Sequence, residues 1–242
     1  MAVVNCGSID DVIWLNEPDN YQLHSTVHIY DITISASLHL LPLAHSLLNE
    51  AEYKRAHSYY RQKDRERFMV SRVALRQLLG KYIEHQPQDI VFAIGNNKKP
   101  FIQNTERPVY YNVSHSGDKI LIAISDKEVG IDVEHKLADF DFEEIIPTCF
   151  SAEEALHIRS FKDPRHTFYL LWTRKEALLK ATAKGVDDEL RSIPSLQGGH
   201  AIDFTNKNWK VISFDIGDEY VGSIGCGVGL INETQFIKFG II

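Results

Sequence analysis

Cysteine is scarce in this 242-residue chain: three residues, Cys6, Cys149 and Cys226, lie far apart in the sequence. That spacing offers neither a disulfide framework nor a Cys-x-x-Cys metal site, and a reducing cytoplasm is the expected setting. Long apolar runs are also missing, since none approaches the roughly 18 residues of a membrane span. The first residues, MAVVNCGSIDD, lack the basic leader and apolar stretch of a signal peptide. No membrane association is expected. Several catalytic signatures are absent too: there is no Walker A run, no HExxH motif and no GxSxG elbow. Gly222, Gly225, Gly227 and Gly229 precede no helical pattern, which excludes a dinucleotide loop. The 11 histidines are dispersed, so a zinc site is not expected.

What the chain does contain is an ordinary globular composition, 44% hydrophobic and 24% charged. Its length fits one large domain or two small ones. The net charge of −7 argues against a general nucleic-acid binder. That average hides a reversal: between Lys54 and Lys81 nine basic residues face only Asp64 and Glu66. A basic stretch on an acidic chain suggests a local anion site, for a phosphate for example. A solvated helix face is the other reading.

Periodicity gives a coarse map. A strand or two is expected before Leu43, then helices over Asn49–Tyr60 and Asp64–Ile83, the second with Asp64 as N-cap. Gly95 to Pro100 reads as a loop. Ile120–Ser125 and Val129–Glu134 read as two strands, close enough to form a hairpin through Asp126-Lys127-Glu128. Ser151 and Glu154 form a capping-box pattern, which gives Glu154 a structural role. Asp163-Pro164 opens a long helix to about Lys184, with Gly185 placed to end it. Trp209–Phe214 and Tyr220–Ile231 read as strands. The class is α+β, with a division near Ser125–Asp126 and both parts packed together.

Asp132 and Glu134 stand two apart on an apolar strand, so both carboxylates share one face, with Ile131 and Val133 on the other. Two acids on one face repel unless a cation lies between them. A hard ion such as Mg2+ suits such oxygens, while a solvated strand end is the plainer alternative. On the long helix Trp172, Glu176 and Lys180 share a stripe. Glu176 is a possible third metal ligand and Lys180 a phosphate contact, unless the two form an ordinary surface pair. Ser114-His115 offers donors for an anion rather than a hydrolase pair, because adjacent residues of an extended segment point apart.

Lys99-Pro100, Tyr111-Asn112-Val113-Ser114-His115-Ser116, Gly130-Ile131-Asp132-Val133-Glu134, Phe150-Ser151-Ala152-Glu153-Glu154 and Trp172 to Lys180 occur in this order. Together, over about residues 50 to 186, they resemble the Sfp-type 4′-phosphopantetheinyl transferases. The resemblance implies an α+β fold of two similar subdomains with pseudo-twofold symmetry, 1–125 and 126–242, and coenzyme A in the cleft between them. It implies Mg2+ on Asp132, Glu134 and Glu176. It places the catalytic or phosphate-contacting lysine at Lys180, the adenine contacts at Lys99 and Pro100, and the phosphate contacts at Ser114 and His115. Arg55 matches a basic residue that contacts the 3′-phosphate. The implied activity transfers 4′-phosphopantetheine from coenzyme A to a serine of an apo acyl or peptidyl carrier protein, with Glu176, directly or through a metal-bound water, as the candidate base and His115 and Lys180 assisting. A monomer suffices for such a cleft. Two departures stand out. A second basic position of the family falls on Glu52, and Lys98 stands where Gly commonly precedes Lys-Pro, so a differently shaped loop is expected if that Gly needs positive φ. The competing classes are another Mg2+-dependent phosphotransferase or pyrophosphatase, and a non-catalytic coenzyme A or carrier-binding module.

Overall fold

The computed structural model describes residues 1–95, 98–184, 190–228 and 234–240. Two five-stranded sheets carry the molecule. The first runs β8 (Val129–His135), β11 (Tyr220–Gly227), β10 (Trp209–Ile216), β1 (Ala2–Ser8) and β9 (Gly198–Ile202). The second runs β2 (Trp14–Leu15), β12 (Thr234–Lys238), β3 (Val27–Thr33), β7 (Lys119–Ser125) and β6 (Tyr110–Ser116). A small hairpin pairs β4 (Phe92–Ile94) with β5 (Pro100–Ile102). The helices are α1 (Ala44–Leu47), α2 (Glu50–Ser58), α3 (Gln62–Ile83), α4 (Ile146–Cys149), α5 (Ala152–Ser160) and α6 (Pro164–Thr182). The α+β class is as expected.

The two halves repeat a local device. Asn49 caps α2 and Ser151 caps α5, and in each helix the third residue, Glu52 or Glu154, bonds back to the cap N–H at 3.1 and 2.8 Å. Both glutamates then meet a buried cation on the following long helix. Arg76 Nε donates to Glu52 at 2.9 Å, and Lys175 Nζ donates to Glu154 at 2.8 Å. Each cation also donates to two carbonyls beyond the end of its helix: Pro87 and Ile90 for Arg76 Nη1, Leu190 and Ile193 for Lys175 Nζ. Burying these charges is tolerable because pairing and hydrogen bonding come together. The structural role expected of Glu154 is thus the observed one. Glu52, the departure from the basic pattern, does the same work in the N-terminal half and also pairs with Arg72 at 3.1 Å.

The strands do not respect the division of the chain. β1 lies parallel to β10 in the sheet that holds β8, and β12 lies parallel to β3 in the other sheet. Each half therefore receives a strand from the far end of the polypeptide. The expected hairpin is not formed. β7 pairs with β3 and β6, while β8 leaves for the other sheet and pairs with β11. Burial explains the misreading. Ile120, Ile122 and Ile124 of β7 pack with α3, and Leu121 and Ala123 pack with Ile131 and Val133 of β8 between the sheets. A strand buried on both faces shows a continuous apolar run that says nothing about its partner.

Smaller corrections concern helix ends. α3 starts at Gln62 with no side-chain cap, and Asp64 instead pairs with Arg67 at 2.9 Å. Asp163 does cap α6, accepting from the His166 N–H at 2.9 Å, and the helix ends at Thr182 with Ala183 left-handed at φ 54°. Gly185, Asn96 and Asn97, and residues 229–231 of the expected last strand lie outside the described residues. A 3-10 stretch over Ser35–Leu43 was not read from the sequence.

Candidate active site

The edge strands β6 and β8 belong to different sheets and are joined by side chains. Asn112 Oδ1 accepts from the Ile131 N–H at 2.8 Å. Ser114 Oγ donates to Asp132 Oδ1 at 2.8 Å, and Ser116 Oγ donates to Glu134 Oε2 at 2.8 Å. Ser116 Oγ also accepts from the His135 N–H at 3.1 Å. The two-residue period puts 112, 114 and 116 on one face of β6, so this face zips the halves together. His115 then falls on the opposite side of the strand, in the wall of the cleft.

Helix α6 brings Lys180 and Glu176 to this seam by lying very close to the sheet. A Cβ on Gly130 would stand 2.1 Å from the Ala181 nitrogen and 2.3 Å from the Ala177 oxygen. Its cross-strand partner Gly225 faces Ala177 as well, at 2.9 Å from the same oxygen. Two glycines side by side thus make the bed of the helix. Lys180 Nζ, one turn beyond Glu176, reaches Asp132 Oδ1 at 2.6 Å and Ser114 Oγ at 3.2 Å.

The acids are held at cost. Burial raises the Asp132 carboxyl above the usual range, opposed by Lys180. Glu134 is pushed up to about 7, by burial first and then by the Asp132 and Glu176 charges. Glu176 is raised by burial and by Asp132. Asp132 Oδ2 is buried and has no hydrogen-bond partner in the described structure. An orphaned carboxylate oxygen beside two other acids fits a hard divalent cation in donor chemistry. Among the described residues no group of three or more His, Cys, Asp or Glu side chains is placed to hold a metal ion. Lys180 is the cation that partly offsets the acids here.

Beside the seam lies a cleft of about 540 Å³, lined by Arg55, Arg67, Arg72, Lys98, Pro100 and His115. That volume lies in the range of small-molecule sites. Arg55 stacks over Phe68 and Arg72 over Phe92, which holds their guanidiniums at the wall. Desolvation, and then the Arg67 charge, lower the His115 imidazole below its ordinary value. Ser114 and His115 are therefore the hinge between cleft and acids.

Arg55, Pro100, Ser114, His115, Asp132 and Lys180 are brought to cleft or seam, and Glu134 and Glu176 adjoin them. Lys99 is placed differently from the adenine contact implied. Its Nζ donates to three backbone carbonyls, those of Val129, Lys180 and Ala181. Burial pushes this ammonium down to about 8, against the Glu128 charge. Lys98 sits at φ 61°, so the loop takes the left-handed turn with a lysine where a glycine is sterically free. The sequence reading included Arg67 and Arg72 in the basic run that suggests an anion site but did not single them out, and both face the cleft with Phe68 and Ser71. Their helical spacing was the available signal. It also missed Asn112 and Ser116 as the seam and Gly130 as the helix bed.

Mutually repelling acids, a lysine among them and a basic cleft alongside make a site suited to a phosphorylated ligand. Comparison with known proteins narrows the class. The sequence profile of the 4′-phosphopantetheinyl transferase superfamily matches residues 128–226, and that of the 4′-phosphopantetheinyl transferase N-terminal region matches residues 35–127. A Synechocystis protein named as a 4′-phosphopantetheinyl transferase is 35% identical over 158 residues, 64% of each chain. The 4′-phosphopantetheinyl transferase HetI of Nostoc is 32% identical over 179 residues, 72% of this chain and 76% of its own. Sfp of Bacillus subtilis, with the same activity in its name, is 27% identical over 149 residues, 61% of this chain and 65% of its own. The match thus spans just under two thirds of the Synechocystis and Bacillus relatives. The chain belongs to the 4′-phosphopantetheinyl transferase superfamily.

Proposed function

We propose that this protein transfers 4′-phosphopantetheine from coenzyme A to a serine hydroxyl of an apo acyl or peptidyl carrier protein. The observation that carries the reading is the Asp132–Lys180–Ser114 cluster, set between two further acids and a cleft lined by arginines. Coenzyme A supplies three phosphates, and the cleft supplies their counter-charge. In this reading Pro100 lies against the adenine and Arg55 holds the 3′-phosphate. Ser114 and His115 of the first half and Lys180 of the second face the reacting diphosphate. Asp132, Glu134 and Glu176 would hold Mg2+, which would supply positive charge against the diphosphate.

The protein groups have separable tasks. Lys180, Ser114 and His115 hold the phosphate oxygens and offset their charge as the bond breaks. The serine oxygen forms a bond to the pantetheine-side phosphorus, the P–O bond to the adenosine-side phosphate breaks, and adenosine 3′,5′-bisphosphate leaves. The serine proton passes to Glu176, whose raised affinity for protons favours that role. Among the described residues no helix is long and apolar enough to cross a membrane. The three cysteines are free and buried, which supports a reducing cytoplasm. A single chain contains the whole cleft, so the monomer is the proposed working unit. Incubation with coenzyme A, Mg2+ and an apo carrier, read by intact mass, tests the reading. A phosphopantetheine adduct on the carrier is expected. Cleaved coenzyme A without an adduct would point to a pyrophosphatase, and intact coenzyme A to a binding module.

A further inference from the structure

We infer that Lys99 is a positioning residue for the transfer step: it pins the last turn of α6, and with it Lys180, against β8. The inference rests on the transferase reading above and concerns a side chain that reading leaves without a ligand. Lys99 Nζ donates to the carbonyls of Lys180 at 2.7 Å, Ala181 at 2.9 Å and Val129 at 3.1 Å. An ammonium has three protons, so every donor is used. Two of those carbonyls belong to the end of α6, where intrahelical donors run out. The helix stops there with Ala183 left-handed, and a cation at a helix C-terminus also suits the helix dipole. The third carbonyl opens β8, the strand of Asp132 and Glu134. Lys99 itself comes from the turn before β5 in the other half. One side chain therefore ties the β4–β5 hairpin, the end of the catalytic helix and the start of the acid strand.

The geometry passes directly to the reacting groups. The residue whose carbonyl Lys99 holds most closely is Lys180, whose own Nζ lies 2.6 Å from Asp132. Without the ammonium, three carbonyls lose this donor, and the backbone of the last turn of α6 loses its tie to β8 and the β4–β5 hairpin, while the Lys180 side chain keeps its bonds to Asp132 and Ser114. A displacement near 1 Å of a catalytic group costs on the order of a hundredfold in rate. Packing of α6 on Gly130 limits the movement, so a smaller loss is expected. Because no donor is left over, the ammonium cannot also serve a bound nucleotide while the tie is intact.

The test compares the full-length protein with Lys99→Met, which keeps the stem, and Lys99→Arg, which can restore donors. The readings are kcat and KM for coenzyme A with an apo carrier and Mg2+, coenzyme A affinity by calorimetry, and amide exchange over residues 178–184. Lys99→Met is expected to lower kcat at least about tenfold and leave coenzyme A affinity within about twofold, with Lys99→Arg recovering part of kcat. Exchange at the end of α6 is expected to speed up in Lys99→Met. A large loss of affinity at unchanged kcat would make Lys99 a ligand contact and overturn the inference. Unchanged kcat with only lower thermal stability would overturn it as well. If the unsubstituted protein transfers nothing, the transferase reading fails, and unaltered exchange in Lys99→Met separately refutes the tie. Should Lys99→Met fail to fold, the same readings on Lys99→Gln decide.

Discussion

Lys180 Nζ lies 2.6 Å from Asp132 Oδ1, and Ser114 Oγ touches both, at 3.2 and 2.8 Å. Three elements from two halves of the chain thus meet at one carboxylate oxygen, while the other oxygen of Asp132 is left unpartnered. A group buried so deeply and only half satisfied is poor for stability and suited to a ligand.

Asp132→Ala and Glu176→Gln should therefore abolish transfer, by at least about a hundredfold, with the fold retained. Intact-mass assays and circular dichroism check the two halves of that statement. Near-normal turnover in either variant would reject the metal and base assignments.

Gly130→Ala should be far more damaging to the fold than its size suggests. The added methyl would meet the backbone of Ala177 and Ala181 rather than a side chain that can turn away. A loss of about 3 kcal/mol or more is expected, read by urea unfolding. Ordinary stability would mean that α6 does not lie on this glycine.

Glu154→Ala should cost about 3–5 kcal/mol, because Lys175 stays buried without its anion. Adding Lys175→Met should return part of the loss, since the stranded charge is then gone. Glu52→Ala and Arg76→Met should behave alike in the other half. Additive losses in both double variants would show that the pairs are not coupled.

Acid should weaken the fold through His28. It is buried, hydrogen-bonded to Tyr82 at 2.5 Å, and burial pushes its imidazole from 6.5 down to about 4. The folded state prefers the neutral ring, so its contribution is complete above pH 6.5 and is lost as pH falls toward 4. The loss from this residue reaches about 3 kcal/mol. Unfolding measured at pH 7 and pH 5 should show a smaller difference in His28→Gln. An identical pH dependence would assign the acid sensitivity elsewhere.

The sequence was informative wherever chemistry depends on local period. Asp132 and Glu134 share a face because strands alternate, and Glu176 and Lys180 share a stripe because helices turn every 3.6 residues. Caps at Ser151 and Asp163 follow from residue type, although Asp64, of the same type, does not cap α3. Sheet pairing was not legible, since β7 is apolar on both faces and the adjacent runs of β7 and β8 look like a hairpin. The role of Gly130 lay hidden because a glycine in a strand does not say which backbone approaches it. The placement of Lys99 was also hidden, because its partners are carbonyls, which every residue carries.

The exchanged strands β1 and β12 bear on how the protein is made. A nascent chain that has emerged only as far as Ser125 leaves β1 without β10 and β3 without β12. Neither sheet can be completed until β10, β11 and β12 have been made, so long-range closure is slow and the two sheets should form in one cooperative event. Severing the polypeptide at that point would yield two fragments, each with an open flank and each holding the strand the other needs.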